Sequence, residues 1–214
     1  MAKRRKVSNL LGLAVLSALV TRPMHPYEVA SVLRARSKDE QMGIKWGSLY
    51  RVVQNLEKYG FVAAVQSERE GGRPERTVYR ITEAGRAEMV DWVRELVAVP
   101  ESEERFKAGL SLLAVLPPDE VARLLEGRVG ALEARIAAVE AELAGSAEAV
   151  PRLFLIETEY ELAARRAEVG WARGLLAEIT GGSLPGLAQW REFHRSGELP
   201  DELRELAERG GDPE

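Results

Sequence analysis

The chain has 214 residues, 45% apolar and 30% charged, with no cysteine and only two histidines, His25 and His194. One or two compact soluble units fit that composition, while disulfide scaffolds, thiol nucleophiles and the common zinc and iron–sulfur sites lack their ligands. The net charge of −4 hides a division, since residues 1–86 hold 16 basic against 8 acidic side chains, net +8, and the remainder 14 against 26, net −12. Such asymmetry implies a basic module facing a polyanion and an acidic module with another task.

The first feature in chain order is the basic cluster Lys3-Arg-Arg-Lys6, followed by the apolar run Leu10 to Val20. A charged start before an apolar run is also the outline of a secretory signal. The run is shorter than the roughly 20 residues that span a bilayer, and no small-x-small cleavage site follows it before Arg22. A buried amphipathic helix capped by Ser8 or Asn9, with Leu10, Leu13, Leu16 and Leu19 at helical spacing, is the preferred reading. Residues 1–9 are then a flexible basic arm, which either keeps the chain soluble or reaches a nucleic-acid backbone.

His25 precedes a second helix that opens on Pro26 and carries Tyr27, Val29, Val32 and Leu33 toward Arg36, proline being suited to a first helical position. Trp46 to Gly60 reads as a third helix. Its apolar positions Leu49, Val52, Val53 and Leu56 follow the i, i+3, i+4, i+7 pattern, and Gly60 is the stop. Ser48, Arg51, Gln54, Asn55 and Lys58 fall on the opposite face, with Tyr50 at the flank. Phe61 to Val65 and Thr77 to Ile81 are β-prone runs joined by a tip containing Gly71-Gly72 and Pro74, and basic at Arg69, Arg73 and Arg76. From Thr82 a further helix runs through Met89, Trp92, Val93 and Leu96 and ends before Pro100. Three helices, a two-stranded ribbon and another helix make a winged helix-turn-helix domain over residues 10–99.

Beyond it the chain reads as all helix. Ser102 caps a helix through Phe106, Leu110, Leu113 and Leu116, and Pro117-Pro118 opens a longer one. There Leu125, Val129, Leu132, Ile136, Val139 and Leu143 alternate spacings of four and three, a coiled-coil seam. A second long helix from about Pro151 carries Leu155, Leu162, Val169 and Leu176 at sevenfold spacing before Gly181-Gly182. The two are expected to pack as an antiparallel hairpin whose surplus apolar stripe makes a homodimer through Leu155, Leu162, Val169 and Leu176. The fold class is thus mainly α with a small β-wing, with a helical coiled-coil dimerisation domain over 101–180 and a short helix and tail over 181–214.

Three stretches, His25-Pro-Tyr-Glu28, Gly47-Ser-Leu-Tyr-Arg-Val-Val-Gln-Asn-Leu-Glu-Lys-Tyr-Gly-Phe61 and Gly72-Arg-Pro-Glu-Arg-Thr-Val-Tyr-Arg-Ile-Thr-Glu-Ala-Gly-Arg86, together resemble the PadR family of bacterial winged-helix transcriptional regulators. Residues 101–180, with Trp171 on the last long helix, resemble the helical dimerisation domain of its longer members, the type found in virulence activators. One departure is Pro26, where the family usually has glycine.

The resemblance implies a cytoplasmic, sequence-specific regulator of transcription, a repressor, acting as a homodimer on a pseudo-palindromic duplex. Ser48, Arg51 and Gln54 are the candidates for base edges, because arginine grips guanine O6/N7 and glutamine pairs with adenine N6/N7. Lys45, Tyr50, Lys58, Arg73 and Arg76 are candidates for phosphate contacts, although the Tyr50 ring also has a purely packing reading. Relatives answer to small aromatic or amphipathic compounds, which makes Trp92 and Trp171 candidate effector contacts, with core or interface packing as the alternative. No cofactor, metal or membrane is implied. An enzyme is disfavoured, because His25, His194 and Ser48 form no triad and Glu157, Glu159 and Glu161 face different sides of their helix. The rival reading is a dimeric helical scaffold whose winged helix binds a protein, which an exposed apolar patch on the third helix would favour.

Overall fold

The computed structural model describes residues 5–35, 42, 44–65, 77–146 and 150–198. In chain order these form α1 (Leu10–Ala18), α2 (Pro26–Ala35), α3 (Leu49–Lys58), β1 (Val62–Val65), β2 (Val78–Ile81) and α4 (Glu83–Ala98). The acidic remainder forms α5 (Glu103–Leu110), α6 (Pro118–Ser146), α7 (Ile156–Gly181) and α8 (Leu187–Ser196).

The Asn9 side chain caps α1 by accepting the Leu11 amide at 2.9 Å. Leu11, Leu13, Ala14, Val15, Leu16 and Ala18 are all buried, so α1 is apolar all round and lies in the centre of the core, not on its surface as an amphipathic helix would. At α2 the Tyr27 amide donates to His25 Nδ1 at 3.1 Å while Glu28 Oε2 accepts the His25 amide at 2.7 Å. This reciprocal cap satisfies two amides, and Pro26, having none, costs nothing at the first turn.

The stretch before α3 winds as a 3-10 turn, Trp46–Ser48, so the α-helix begins at Leu49 and not at Trp46. The Arg34 guanidinium covers the Trp46 ring at 4.7 Å, tying the end of α2 to that turn. Gly60, at φ +74°, takes the left-handed conformation that stops α3. β1 and β2 pair antiparallel with Val62 opposite Ile81 and Val65 opposite Val78, and Met24 exchanges two backbone hydrogen bonds with Tyr79 beside them.

Thr82 caps α4 by accepting the Gly85 amide at 3.0 Å, and its hydroxyl donates to the Gly60 carbonyl at 2.7 Å. Gly85 is required there, because a Cβ would collide with the Phe61 carbonyl oxygen. At the other end of α4, α5 packs so closely that a Cβ on Gly109 would lie 2.9 Å from Leu96 Cβ. One buried cluster consequently runs from α1 through Trp92, Val93, Leu96 and Val97 of α4 into Leu125, Val129 and Leu132 of α6.

Residues 5–9 do not behave as a flexible arm. The Arg5 side chain, 3% exposed, donates to Glu88 and Glu95 at 2.6 Å each and to the Asp91 carbonyl at 3.0 Å, and lies 5.3 Å from the Trp92 ring centre. Val7 is buried beside it. The acidic side of α4 captures this segment, a pairing across more than 80 residues that local sequence pattern does not register.

Helices α6 and α7 form the expected hairpin. Ion pairs join Glu133 to Arg173 and Glu140 to Arg166, so partners descend along α7 as they ascend along α6, and the helices run antiparallel. The helix predicted over Ser102 to Leu116 instead ends at Leu110 and continues as a 3-10 turn, Leu113–Val115. A 3-10 turn, Arg152–Phe154, likewise precedes α7. The seam assigned to dimerisation is corrected by its burial. Leu162 and Val169 are 4% and 5% exposed in the single chain, and Leu155 and Leu176 are partly buried. Sevenfold spacing marks a face that meets a helix, and here that face is closed within the hairpin.

Helix α8 folds back. Leu187 is buried, Trp190 Nε1 donates to the Leu116 carbonyl at 2.9 Å, and His194 Nε2 meets the Ala114 carbonyl at 2.9 Å. None of the described helices is long and apolar enough to cross a membrane.

Because Leu162 is a core residue of the hairpin, Leu162→Ala should lower the stability of the chain by about 2–4 kcal/mol. Denaturant unfolding followed by circular dichroism reads this, and a loss below roughly 0.5 kcal/mol would return Leu162 to a surface role.

Candidate functional site

The outer face of α3 follows from its inner one. Leu49, Val52, Val53 and Leu56 are buried against the core, which leaves Arg51, Gln54, Asn55 and Lys58 exposed on the far side. Lys45 is exposed and Ser48 half-exposed in the stretch leading into the helix. Tyr50 is 59% exposed, its ring edge-on to His25 with centroids 6.3 Å apart. The packing reading thus accounts for one contact of the ring, while most of the side chain stays exposed. Glu57 is turned to the wing, where burial first and then this carboxylate hold the Tyr79 phenol above its ordinary pKa.

Of the wing, the paired strands are described, with Arg80 exposed opposite Ala63. Arg69, Arg73 and Arg76 lie outside the described residues.

The two tryptophans part company. Trp92 is 1% exposed, under Arg5, and belongs to the core; it is not a ligand contact. A buried N-terminal segment covers it, which helical periodicity alone did not show. Trp171 is 49% exposed and stands edge-on to Phe106 with centroids 5.8 Å apart. Both line a cavity of about 590 Å³ between α5 and the α6–α7 hairpin, together with Leu132, Arg135, Tyr160 and Arg165. Its floor is Arg128, 1% exposed, whose guanidinium sits 3.7 Å over the Phe106 ring. Arg128 donates to Glu168 at 2.6 Å and to the carbonyls of Val97 and Val99 at 3.2 and 2.9 Å. Burial draws its pKa below the ordinary arginine value, and the Glu168 carboxylate opposes that shift. Among the described residues no cluster of metal-ligating side chains occurs.

The model of the transcriptional regulator PadR-like family matches residues 15–91, which span α1 to α4 with the wing between. A protein of Lysinibacillus sphaericus of uncharacterised function is 31% identical over 97 residues, 45% of this chain and 86% of that one. The chain belongs to the PadR-like family of transcriptional regulators. Among solved structures, the putative transcriptional regulator TA0346 of Thermoplasma acidophilum is 37% identical, covering 38% of this chain and 75% of its own, with a TM-score of 0.31. PadR of Bacillus subtilis in complex with operator DNA is 20% identical over 79% of this chain and 98% of its own, TM-score 0.35. The same protein with p-coumaric acid is 19% identical over 84% and 99%, TM-score 0.33.

Within this PadR-like chain, two functional candidates escaped the sequence. Arg128 falls between the seam positions Leu125 and Val129, on the side that meets α4, and its place one residue before Val129 is the available signal. Arg5 offered none, because its partners are 83 to 90 positions away.

Arg128→Ala should cost about 3–5 kcal/mol by leaving Glu168 and the end of α4 without their donor. Arg128→Met, which keeps the volume, should recover little of it. Thermal unfolding of the two variants beside Glu168→Gln checks this, and a neutral Arg128→Ala would show the strap to be dispensable.

Proposed function

We propose that this PadR-like regulator binds a specific duplex sequence through the outer face of α3, with the wing on the flanking phosphates. The observation that carries the reading is the composition of that face. Arg51, Gln54, Asn55 and Lys58 stand exposed over a wholly apolar inner stripe, in a module of net +8. Arg51 and Gln54 are the base readers, with Ser48 at the helix entry, while Lys45, Tyr50 and Lys58 hold phosphates. Arg73 and Arg76 take the same role from the wing tip. The rival scaffold would need an aliphatic patch on α3, and among the described residues the large hydrophobics exposed on α3 and at its C-cap are two tyrosines, Tyr50 and Tyr59.

A homodimer places two such helices roughly 34 Å apart, or a multiple of that, on a pseudo-palindromic site, and occupancy of the operator by this cytoplasmic protein represses. Responsiveness enters at the cavity beside Trp171, where Phe106, Tyr160 and Trp171 stand among equal numbers of basic and acidic side chains, a lining that suits a small aromatic or amphipathic effector. Division into a DNA-binding part, residues 10–99, and a helical part, 101–180, follows the same reading.

Arg73→Ala or Arg76→Ala should weaken binding to every sequence and lower the slope of log affinity against log salt by about one. Arg51→Ala should instead cost about 1–3 kcal/mol at one base position and leave that slope nearly unchanged. Binding curves on operator and scrambled duplexes over a salt series separate the two classes. Absence of binding to any genomic fragment at low salt would defeat the reading.

Effector binding is read from Trp171. A ligand of the cavity should change the fluorescence of the native chain, and the Trp171→Phe variant should lose that change while Trp92 still emits. Equal responses in both proteins would place the ligand elsewhere.

A further inference from the structure

The segment before α1 holds a cation that neither the core nor the face of α3 accounts for. Its neighbours on both sides are anchored. Arg5 is buried against α4, donating to Glu88, Glu95 and the Asp91 carbonyl. Val7 packs so closely on α1 that a Cβ on Gly12 would lie 2.7 Å from its Cγ1. Lys6, between them, is exposed. It takes none of the three acidic side chains beside Arg5 and reaches instead to the end of α3, where its Nζ lies 5.4 Å from the Tyr59 ring centre.

Lys58 Nζ lies 5.9 Å from the same ring. Two ammonium groups therefore share one exposed tyrosine, and among the described residues neither pairs with a carboxylate. Glu57, the only acidic side chain of α3, is turned to Tyr79 of the wing and leaves this charge unopposed. Like charges gathered on one ring repel each other, and a polyanion laid against them converts the repulsion into attraction. The place of the pair supports the same reading. Arg51, Asn55 and Lys58 fall at i, i+4 and i+7 of α3, one exposed stripe, and Lys6 stands beside the end of it.

We infer that Lys6 is a contact to the DNA backbone, gripping a phosphate together with Lys58 beyond the exit of α3. Arg5 and Val7 give the contact its value, because a cation fixed between two buried neighbours is already in place before the duplex arrives, and less ordering remains to oppose binding. An ammonium on a phosphate reads charge and not sequence, so the contact strengthens binding to every duplex alike. The inference rests on the DNA-binding face proposed above, and adds to it a residue from outside the span, 15–91, that matches the family model.

The full chain tests it, on a mixed-sequence duplex and on an operator fragment selected from genomic DNA, over a salt series. Lys6→Gln should weaken binding to both duplexes about three- to tenfold near 0.1 M salt, and lower the slope of log affinity against log salt by about one for each chain bound. Lys6→Arg, which keeps the charge, should keep the slope. The thermal midpoint of Lys6→Gln should stay within about 1 °C of native, because the side chain is exposed. The chain has no cysteine, so an iron–EDTA group tethered to Lys6→Cys reports position, and it should cleave the backbone beside the footprint of α3. A native slope in Lys6→Gln, a loss confined to the operator, or a bound duplex left uncut overturns the contact and leaves the face of α3 standing. A lowered thermal midpoint with a native slope assigns Lys6 to the stability of the helix end and overturns it equally. A native chain that binds neither duplex at low salt overturns both this contact and the DNA-binding reading.

Discussion

A single buried guanidinium holds the two parts of this molecule in register. Arg128 projects from α6 into the junction with α4, where the last carbonyls of α4 and the residue after it would otherwise face apolar side chains without donors. Its other nitrogen meets Glu168 of α7, and the plane of the group lies on Phe106 of α5. Four segments therefore converge on one cation. The arrangement gains little net stability over replacement of both Arg128 and Glu168 by apolar side chains, because the guanidinium is desolvated, but it is intolerant of the loss of one partner. An apolar contact would let the hairpin slide on α4; a fork of directed hydrogen bonds does not.

The same helix is pinned at its opposite end. Thr82 and Gly85 lock the start of α4 to Gly60 and Phe61, the turn that joins α3 to the wing. Arg5 adds a third fastening along the middle, through Glu88 and Glu95. A helix of 16 residues, held at both ends and the centre, acts as a rigid bar between the hairpin and the elements α3 and β1–β2. Movement of α6 and α7 relative to the core must either break the Arg128 contacts or carry the bar with it, since packed interiors do not deform continuously.

What the sequence made legible follows from the range of the interactions. The face of α3, the hairpin of β1 and β2, the caps at Thr82 and Ser102 and the existence of α6 and α7 depend on residues within about a turn or a strand of one another, and periodicity reports them well. The 3-10 turns at Trp46 and Leu113 blurred the helix limits, because the apolar spacing continues through them. Leu162 and Val169 show the limit of a heptad pattern: it declares that a helix face is covered, and is silent on whether the cover comes from the same chain. Trp92 and Arg5 failed for a related reason, as each is defined by a partner more than 80 positions away.

The cavity and the proposed DNA-binding face meet in α4. Arg128 lines the cavity and holds the carbonyls of Val97 and Val99 at one end of that helix, while Thr82 and Gly85 fix its other end beside the turn that joins α3 to the wing. On the function proposed, a ligand beside Trp171 that prefers one arrangement of the hairpin would change operator affinity by the same factor by which the operator changes its own. Two routes would serve. Weakening a dimer would remove the gain in affinity that two linked contacts provide, and release would then fall off at high protein concentration. Shifting α4 through Arg128 would instead depend on occupancy of the cavity alone, and the contacts at both ends of α4 favour that route, because packed interiors do not deform continuously.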